Sequence, residues 1–264
     1  MFRVLQAAAL ATMAASGMSL PHSSAYQPVV KHSAETHVMC RAYQHITTRA
    51  RPGTERYIVR NDNYGRLREC LSNRGHRPNF TIVKSGALAG HIEPVAYPDI
   101  FSGCSWGICT PHSGLPRRAD RLHSLVTSWS TVLHAHGQWA AGYDIWFSRS
   151  RSTSGQARGA ELMIWLASRG FSQNGWPVVS ADGARWHLAH WTTARQGKKW
   201  NYIQFRLVRR ATSVRNLDVL RFVRVAERMG LIKPRWWLSS VEAGFEIWRG
   251  GVGLGTKSFS VRTR

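Results

Sequence analysis

The sequence predicts an all-β protein, a sandwich or barrel of antiparallel strands with one packed helix. From residue 56 onward, short runs rich in β-branched and aromatic residues alternate with clusters of Gly, Pro, Asn and Ser. Only the segment 216–229 shows helical periodicity. With 264 residues, 43% of them hydrophobic and 19% charged, the chain can bury a large core. All-β domains commonly run to about 200–250 residues, so 56–264 reads as a single domain.

Residues 1–25 read as an export signal. Arg3 supplies a positive start, residues 4–18 are mostly apolar, and Ser23-Ser24-Ala25 offers small residues for cleavage. Gln6, Thr12 and Ser16 interrupt the apolar stretch, which leaves a start codon placed too early as the alternative. No run in the chain approaches the roughly 20 apolar residues of a membrane-spanning helix. A cleaved leader makes the mature protein secreted. Residues 26–55 lack periodicity and are expected to lead loosely into the domain.

The strands expected within the domain are 57–60, 79–84, 124–133, 143–147, 161–166, 185–190, 200–207, 236–242 and 245–248. The helix over 216–229 puts Val219, Phe222, Val223, Ala226 and Met229 on one face and Asp218, Arg221, Arg224 and Arg228 on the other. Asn216 is placed to cap its start and Gly230 its end, and it is expected to lie on the outside of a sheet. Four cysteines, Cys40, Cys70, Cys104 and Cys109, suggest two disulfides in an exported chain, with three possible connectivities. Cys104 and Cys109 can close a tight local loop, leaving Cys40 with Cys70. Zinc is the rival use, but no Cys-x-x-Cys is present and the close pair His134 and His136 has no matching cysteine pair.

The charge raises a different class of function. Lys and Arg number 36 against 14 Asp and Glu, a net charge of +22, which makes a polyanion a partner to weigh. The basic residues are scattered singly or in doublets such as Arg117-Arg118 and Arg209-Arg210, with no basic block, phosphate loop or zinc-finger spacing. That pattern argues for a solvated basic surface and against specific nucleic-acid binding.

Acids inside apolar strands are more informative. In 161–166, alternation sends Leu162, Ile164 and Leu166 to one face and Glu161, Met163 and Trp165 to the other. In 143–147 Asp144 and Trp146 share a face opposite Tyr143, Ile145 and Phe147, and in 245–248 Glu246 and Trp248 oppose Phe245 and Ile247. Singly, each acid reads as an ion-pair partner of one of many arginines. Three strands repeating an acid and an indole on one side point instead to a sugar-binding cleft with paired carboxylates. Glycosidic cleavage needs that pair: one acid protonates the leaving oxygen, and the other stabilises or attacks the oxocarbenium-like carbon.

These strands, together with Tyr97-Pro98-Asp99-Ile100-Phe101-Ser102-Gly103-Cys104 and the run from Val241 to Leu254, resemble the signature strands of glycoside hydrolase family 12. The resemblance extends from about residue 40 to 261 and is strongest from 140 onward. It implies a concave jelly roll of two antiparallel sheets, secreted, monomeric and without metal or cofactor. The implied activity is endo-acting cleavage of β-1,4-glucan (cellulose, mixed-linkage glucan or xyloglucan) with retention of configuration. Glu161 matches the nucleophile, Glu246 the general acid/base and Asp144 the acid that hydrogen-bonds the nucleophile. Asn61, Tyr64, Trp146, Met163, Trp165, Phe245 and Trp248 are the expected substrate contacts, and the Cys40/Cys70 spacing suits a disulfide of bacterial members. Glu242 shares the strand parity of Glu246 and rivals it, unless Gly244 bulges the strand. The family's Asn-Asn-x-Trp-Gly stands here as Asn61-Asp62-Asn63-Tyr64-Gly65, with a smaller stacking ring and an added charge. The competing functions are a non-catalytic carbohydrate-binding jelly roll and a basic polyanion-binding surface protein.

Overall fold

A computed structural model describes residues 35–49, 56–64, 67–88, 93–134, 136–172, 175–195 and 197–264. The expected export signal, 1–25, lies outside the described residues. The strands in chain order are β1 (Thr36–Met39), β2 (His45–Thr47), β3 (Ile58–Arg60), β4 (Cys70–Arg74), β5 (Phe80–Lys84), β6 (Asp99–Ser105), β7 (Ile108–Cys109), β8 (Arg117–Arg118) and β9 (Leu125–Val132). They continue with β10 (Gln138–Ser148), β11 (Ala160–Arg169), β12 (Val178–Ala181), β13 (Ala184–Arg195), β14 (Lys198–Leu207), β15 (Ser213–Asp218), then the helix α1 (Val219–Arg228), β16 (Trp237–Arg249) and β17 (Gly255–Thr263).

Two sheets form the sandwich. The smaller has the order β1-β4-β5-β17-β9-β15; the larger runs β12-β13-β14-β11-β10-β16-β6-β3-β2, with β7 paired to β6 and β8 to β16. Among the described residues the sheets are antiparallel except for one pair: β11 and β14 run parallel, which alternation within single strands cannot reveal. In β9, Leu125, Thr127, Trp129 and Thr131 are buried while the intervening residues are half-exposed, as expected of a sheet with one wet face. The central strands β10, β11 and β16 are buried on both faces. One face packs into the core and the other floors a groove.

Aromatic rings lock the two sheets together. Trp129 meets Tyr143 at 5.4 Å and Phe245 at 5.7 Å between ring centres, and Phe80 meets Phe245 edge-on at 5.9 Å. The buried Trp129 also donates its indole N–H to Thr256 Oγ1 at 3.0 Å, so its polar atom is satisfied. Phe245 is fully buried in this core. It therefore cannot contact substrate; its parity with Ile247 decides its face.

The segment expected to be loose is partly ordered. β1 pairs with β4 in the smaller sheet and β2 with β3 in the larger, so the domain begins before residue 56. Short strands gain their stability from these partners, which leaves little periodicity to read. The expected strands 236–242 and 245–248 are one continuous β16. Gly244 introduces no register shift there. It is glycine because a Cβ at that position would lie 2.4 Å from the Pro98 carbonyl oxygen. The helix begins later than expected, with Asp218 as its cap: Asp218 Oδ1 accepts from the Leu220 N–H at 3.0 Å. Asn216 instead occupies a left-handed conformation within β15 (φ 53°). Val219, Phe222, Val223 and Ala226 are buried, but Met229, past the last helical turn, is exposed. Phe222 packs edge-on against Trp186 and Phe205, at 4.9 and 5.1 Å. The helix thus closes the core on the inner side of β13 and β14, rather than lying outside a sheet.

Both disulfides form as the tight-loop argument has them, Cys40–Cys70 and Cys104–Cys109. Among the described residues no helix is long and apolar enough to cross a membrane.

Candidate active site

The groove opens on the face of the larger sheet that is turned away from the core. One part, a cavity of about 380 Å³, is lined by Asp144, Glu161 and Glu246 together with Trp146, Met163, Trp165, Trp200, Tyr202 and Trp248. A second, of about 530 Å³, continues it past Tyr43, Arg60, Trp106, Lys198 and Glu242. Tyr64, Tyr97, Asp144, Trp146, Gln156 and Arg195 line both, so the two form one elongated trough.

Register explains how the acids meet. Trp146 lies opposite Glu161 between β10 and β11, and Asp144 lies opposite Met163. On the other side of β10, Asp144 faces Glu242 and Ala140 faces Glu246. The small residues Ala140 and Gly142 leave room above them: a Cβ on Gly142 would sit 2.6 Å from the Trp165 ring. Parallel pairing sets Tyr202 beside Glu161, Gln204 beside Met163 and Arg206 beside Trp165.

Each carboxyl has a different neighbourhood. Glu161 Oε2 accepts from the Trp200 indole N–H at 2.6 Å. Burial pushes the Glu161 carboxyl up to about 8, the Trp200 N–H pulls against this, and the Glu242 charge adds to it. Glu246 is likewise pushed up to about 8, by burial first and then by the Glu161 charge, while the nearby Trp165 N–H and the Arg206 guanidinium pull it back. Its Oε2 is buried without a hydrogen-bond partner. Burial, then the charges of Glu161, Glu242 and Glu246, raise Asp144 far above the carboxylate range, against the pull of the Trp146 N–H. The Asp144 Oδ1 atom also lacks a partner. The donor seated on Glu161 is therefore Trp200, while burial and the neighbouring acids hold Asp144 in its protonated form.

Glu242, the rival acid, is accounted for by structure. Arg60 donates Nε and Nη2 to the two oxygens of Asp99 at 3.1 and 2.6 Å, Nη2 to Glu242 Oε2 at 2.8 Å, and Nη1 to Ser105 Oγ at 2.9 Å. Ser240 Oγ donates to Glu242 Oε1 at 2.7 Å, and Asp62 Oδ2 stands 3.4 Å from Arg60. Burial works against the Arg60 cation, and the charges of Asp99, Asp62 and Glu242 outweigh it, so the guanidinium stays charged. Asp62, the acid added to the Asn61–Gly65 motif, is drawn toward ionisation by Arg60, but its burial outweighs that cation and raises its carboxyl.

Of the expected substrate contacts, Tyr64, Trp146, Met163, Trp165 and Trp248 line the groove. Besides Phe245, Asn61 does not: it is wholly buried, and its Nδ2 donates to the carbonyl oxygens of Met39, Arg41 and Glu69. Those bonds stitch the N-terminal segment to the sheet. Sequence reasoning missed the row Trp200, Tyr202, Gln204 and Arg206 on β14, whose alternation with the buried Ile203 and Phe205 was legible by the parity used for β11. It also missed Trp191, stacked on Tyr202 at 4.3 Å and 24°. Arg206 lies 4.2 Å over both Trp165 and Trp176.

A β-sandwich whose trough is walled by indoles and tyrosines and holds buried carboxyl groups along its floor defines a carbohydrate-cleaving hydrolase. The comparisons sharpen this. Residues 81–263 match the family described as glycosyl hydrolase family 12. The probable cellulase Cel12b of Mycobacterium tuberculosis (strain H37Rv) is 31% identical over 159 residues, covering 57% of this chain and 97% of that protein. A metagenome-derived family 12 endoglucanase superposes with a TM-score of 0.77 at 35% identity, covering 88% of this chain and 99% of the other. Endoglucanase cel12A from Rhodothermus marinus gives 0.77 at 36% identity, over 86% of this chain and 99% of its own. The chain belongs to glycosyl hydrolase family 12.

Proposed function

We propose that the chain is a secreted, monomeric endo-β-1,4-glucanase that cleaves β-glucan with retention, with Glu161 as nucleophile and Glu246 as general acid/base. The observation that carries the division of roles is the unequal support of the two carboxyls. Glu161 accepts a 2.6 Å N–H bond that favours its ionised form, whereas the Glu246 carboxyl has one oxygen with no partner and feels the Glu161 charge. Burial raises both carboxyls to about 8, and the shared proton is assigned to Glu246 because the 2.6 Å Trp200 N–H bond favours ionised Glu161. Glu161 then attacks the anomeric carbon while Glu246 gives its proton to the leaving oxygen. Water, deprotonated by Glu246, later releases the sugar from Glu161. The acid pair supplies nucleophile and proton by itself, so the reaction needs no metal or cofactor.

Asp144, which burial and the neighbouring acids hold protonated, is proposed to tune Glu161 as its hydrogen-bonding partner. Trp146, Trp200, and the Trp191–Tyr202 stack provide faces for pyranose rings along the trough. The names of the relatives, cellulase and endoglucanase, support a glucan substrate. A non-catalytic binder is disfavoured because burying several uncompensated carboxyls costs stability without serving sugar stacking.

The test is release of reducing ends from soluble mixed-linkage glucan, xyloglucan and carboxymethylcellulose, with the anomer of the first product read by NMR. A β-anomer formed first supports retention; an α-anomer overturns it. No release from any substrate overturns the hydrolase assignment. Glu161→Gln is expected to abolish turnover. Glu246→Ala should retain cleavage of aryl glycosides with good leaving groups and form a β-glycosyl azide with azide. Rescue of Glu161→Ala to that β-azide, with Glu246→Ala giving the α-azide, would reverse the two roles.

A further inference from the structure

We infer that Glu35, His37 and His76 form a site for a divalent transition-metal ion of the zinc type, stapling the first strand to the turn after β4. One ligand atom from each of the three side chains lies within 4.8 Å of the others. None of them lines the groove, so the site is separate from the catalytic one.

The local fold brings the three together. Glu35 and His37 are two residues apart in an extended segment, so they project from the same face. Strand β1 pairs with β4 so that Thr36 lies opposite Arg74, and the Gly75 N–H donates to the Glu35 carbonyl oxygen at 2.7 Å. Gly75 and His76 both take positive φ, 64° and 51°, which folds the turn back toward β1. The Arg49 N–H donates to the His76 carbonyl oxygen at 2.7 Å, holding the turn in that position. The His37 and His76 rings are consequently 4.1 Å apart and tilted by 57°.

The chemistry of the donors suits a metal. Tetrahedral zinc with bonds of about 2.0–2.1 Å separates its ligand atoms by roughly 3.3 Å. His37 Nε2 and Glu35 Oε2 already stand 3.5 Å apart, and the Glu35 side chain, 67% exposed, is free to adjust. His37 Nε2 is buried with no hydrogen-bond partner, a costly state that ligation removes. His76 Nδ1 lies 3.4 Å from the Thr47 carbonyl oxygen. A proton kept on that nitrogen leaves Nε2 with the lone pair a metal needs, the usual supporting bond of a metal-binding imidazole. Two imidazoles and a carboxylate leave a fourth position for water, and they select zinc over calcium or magnesium.

The test uses the full chain without a polyhistidine tag, stripped with EDTA and titrated with Zn²⁺ in a calorimeter. One equivalent should bind with micromolar affinity and raise Tm by a few degrees. Co²⁺ in its place should give the visible absorption of a four-coordinate site. His37→Gln and His76→Asn should each weaken binding about tenfold or more. Asn tolerates the left-handed conformation at 76, and unchanged circular dichroism will separate lost binding from lost folding. His187→Ala, outside the group, should bind as the parent does. Absence of saturable one-to-one binding, or undiminished binding in both histidine variants, overturns the site.

Discussion

At the residue scale the chemistry rests on carboxyls that are costly to ionise. The folded-state pKa of Glu246 rises from 4.5 to about 8, so the folded chain keeps a proton that the unfolded chain releases between those values. Its contribution to stability is complete below about 4.5 and is lost as pH rises toward 8. Glu246→Gln should therefore raise Tm by roughly 3 °C or more at pH 8 and little at pH 4.5, while abolishing hydrolysis of unactivated glucan. Equal Tm values for variant and parent at both pH values would show that the site is better solvated than its burial implies. In the parent, kcat/KM should fall as pH passes about 8, where the acid loses the proton it must donate. Trp200 offers a complementary experiment. Trp200→Phe keeps the ring and removes the N–H, so Glu161 should ionise less readily. The acidic limb of the kcat/KM profile should move upward, and the rate should fall about tenfold, the worth of a hydrogen bond to a charged group. An unmoved limb would reduce Trp200 to a stacking surface. The parity of Glu161, Glu246 and Asp144 was legible because alternation is local. Their protonation was not, because the decisive donor is 39 residues from Glu161 in sequence.

At the scale of elements, the floor of the groove depends on a clamp across three strands. Arg60 on β3, Asp99 on β6 and Glu242 on β16 are joined side by side, with all three side chains buried. Arg60→Ala would strand three buried carboxyls and should cost about 3–5 kcal/mol in urea unfolding. A loss below about 1 kcal/mol would mean that protonation of the acids compensates the missing cation. The helix is held more lightly: Asp218→Ala removes its cap and should cost about 1 kcal/mol. The runs of β3, β10, β11, β13, β14 and β16 were visible in the sequence, as was the apolar face of the helix, while β2, β6 and β12 were not read from alternation. The joining of 236–242 to 245–248 was not, because Gly244 mimics a break in sequence while its real cause is the close approach of the Pro98 carbonyl oxygen. Nor was the parallel contact of β11 with β14, since nothing within either strand records its neighbour's direction.

For the whole molecule, two covalent closures and a large positive charge oppose each other. The Cys40–Cys70 bridge spans 30 residues and the Cys104–Cys109 bridge 5. By chain entropy the first is worth about 3.5 kcal/mol and the second about 2. Paired Cys→Ser replacement should therefore lower stability more at 40 and 70 than at 104 and 109. The +22 charge repels itself throughout the fold, so Tm should rise between low and physiological ionic strength, as screening shortens the reach of that repulsion. The sequence alone determined the class of fold and the face on which the acids and indoles stand, and it favoured the tight Cys104–Cys109 loop among three possible pairings, because alternation, turn chemistry and loop closure act between near neighbours. Only the tertiary structure decided that Glu242 is bound to Arg60, 182 residues away, that Asn61 belongs to the interior, and that β14 lies beside β11 and so brings Trp200 and Arg206 to the site. Ionisation, burial and access are set by distances through space, and these exist only once the sheets have closed on each other.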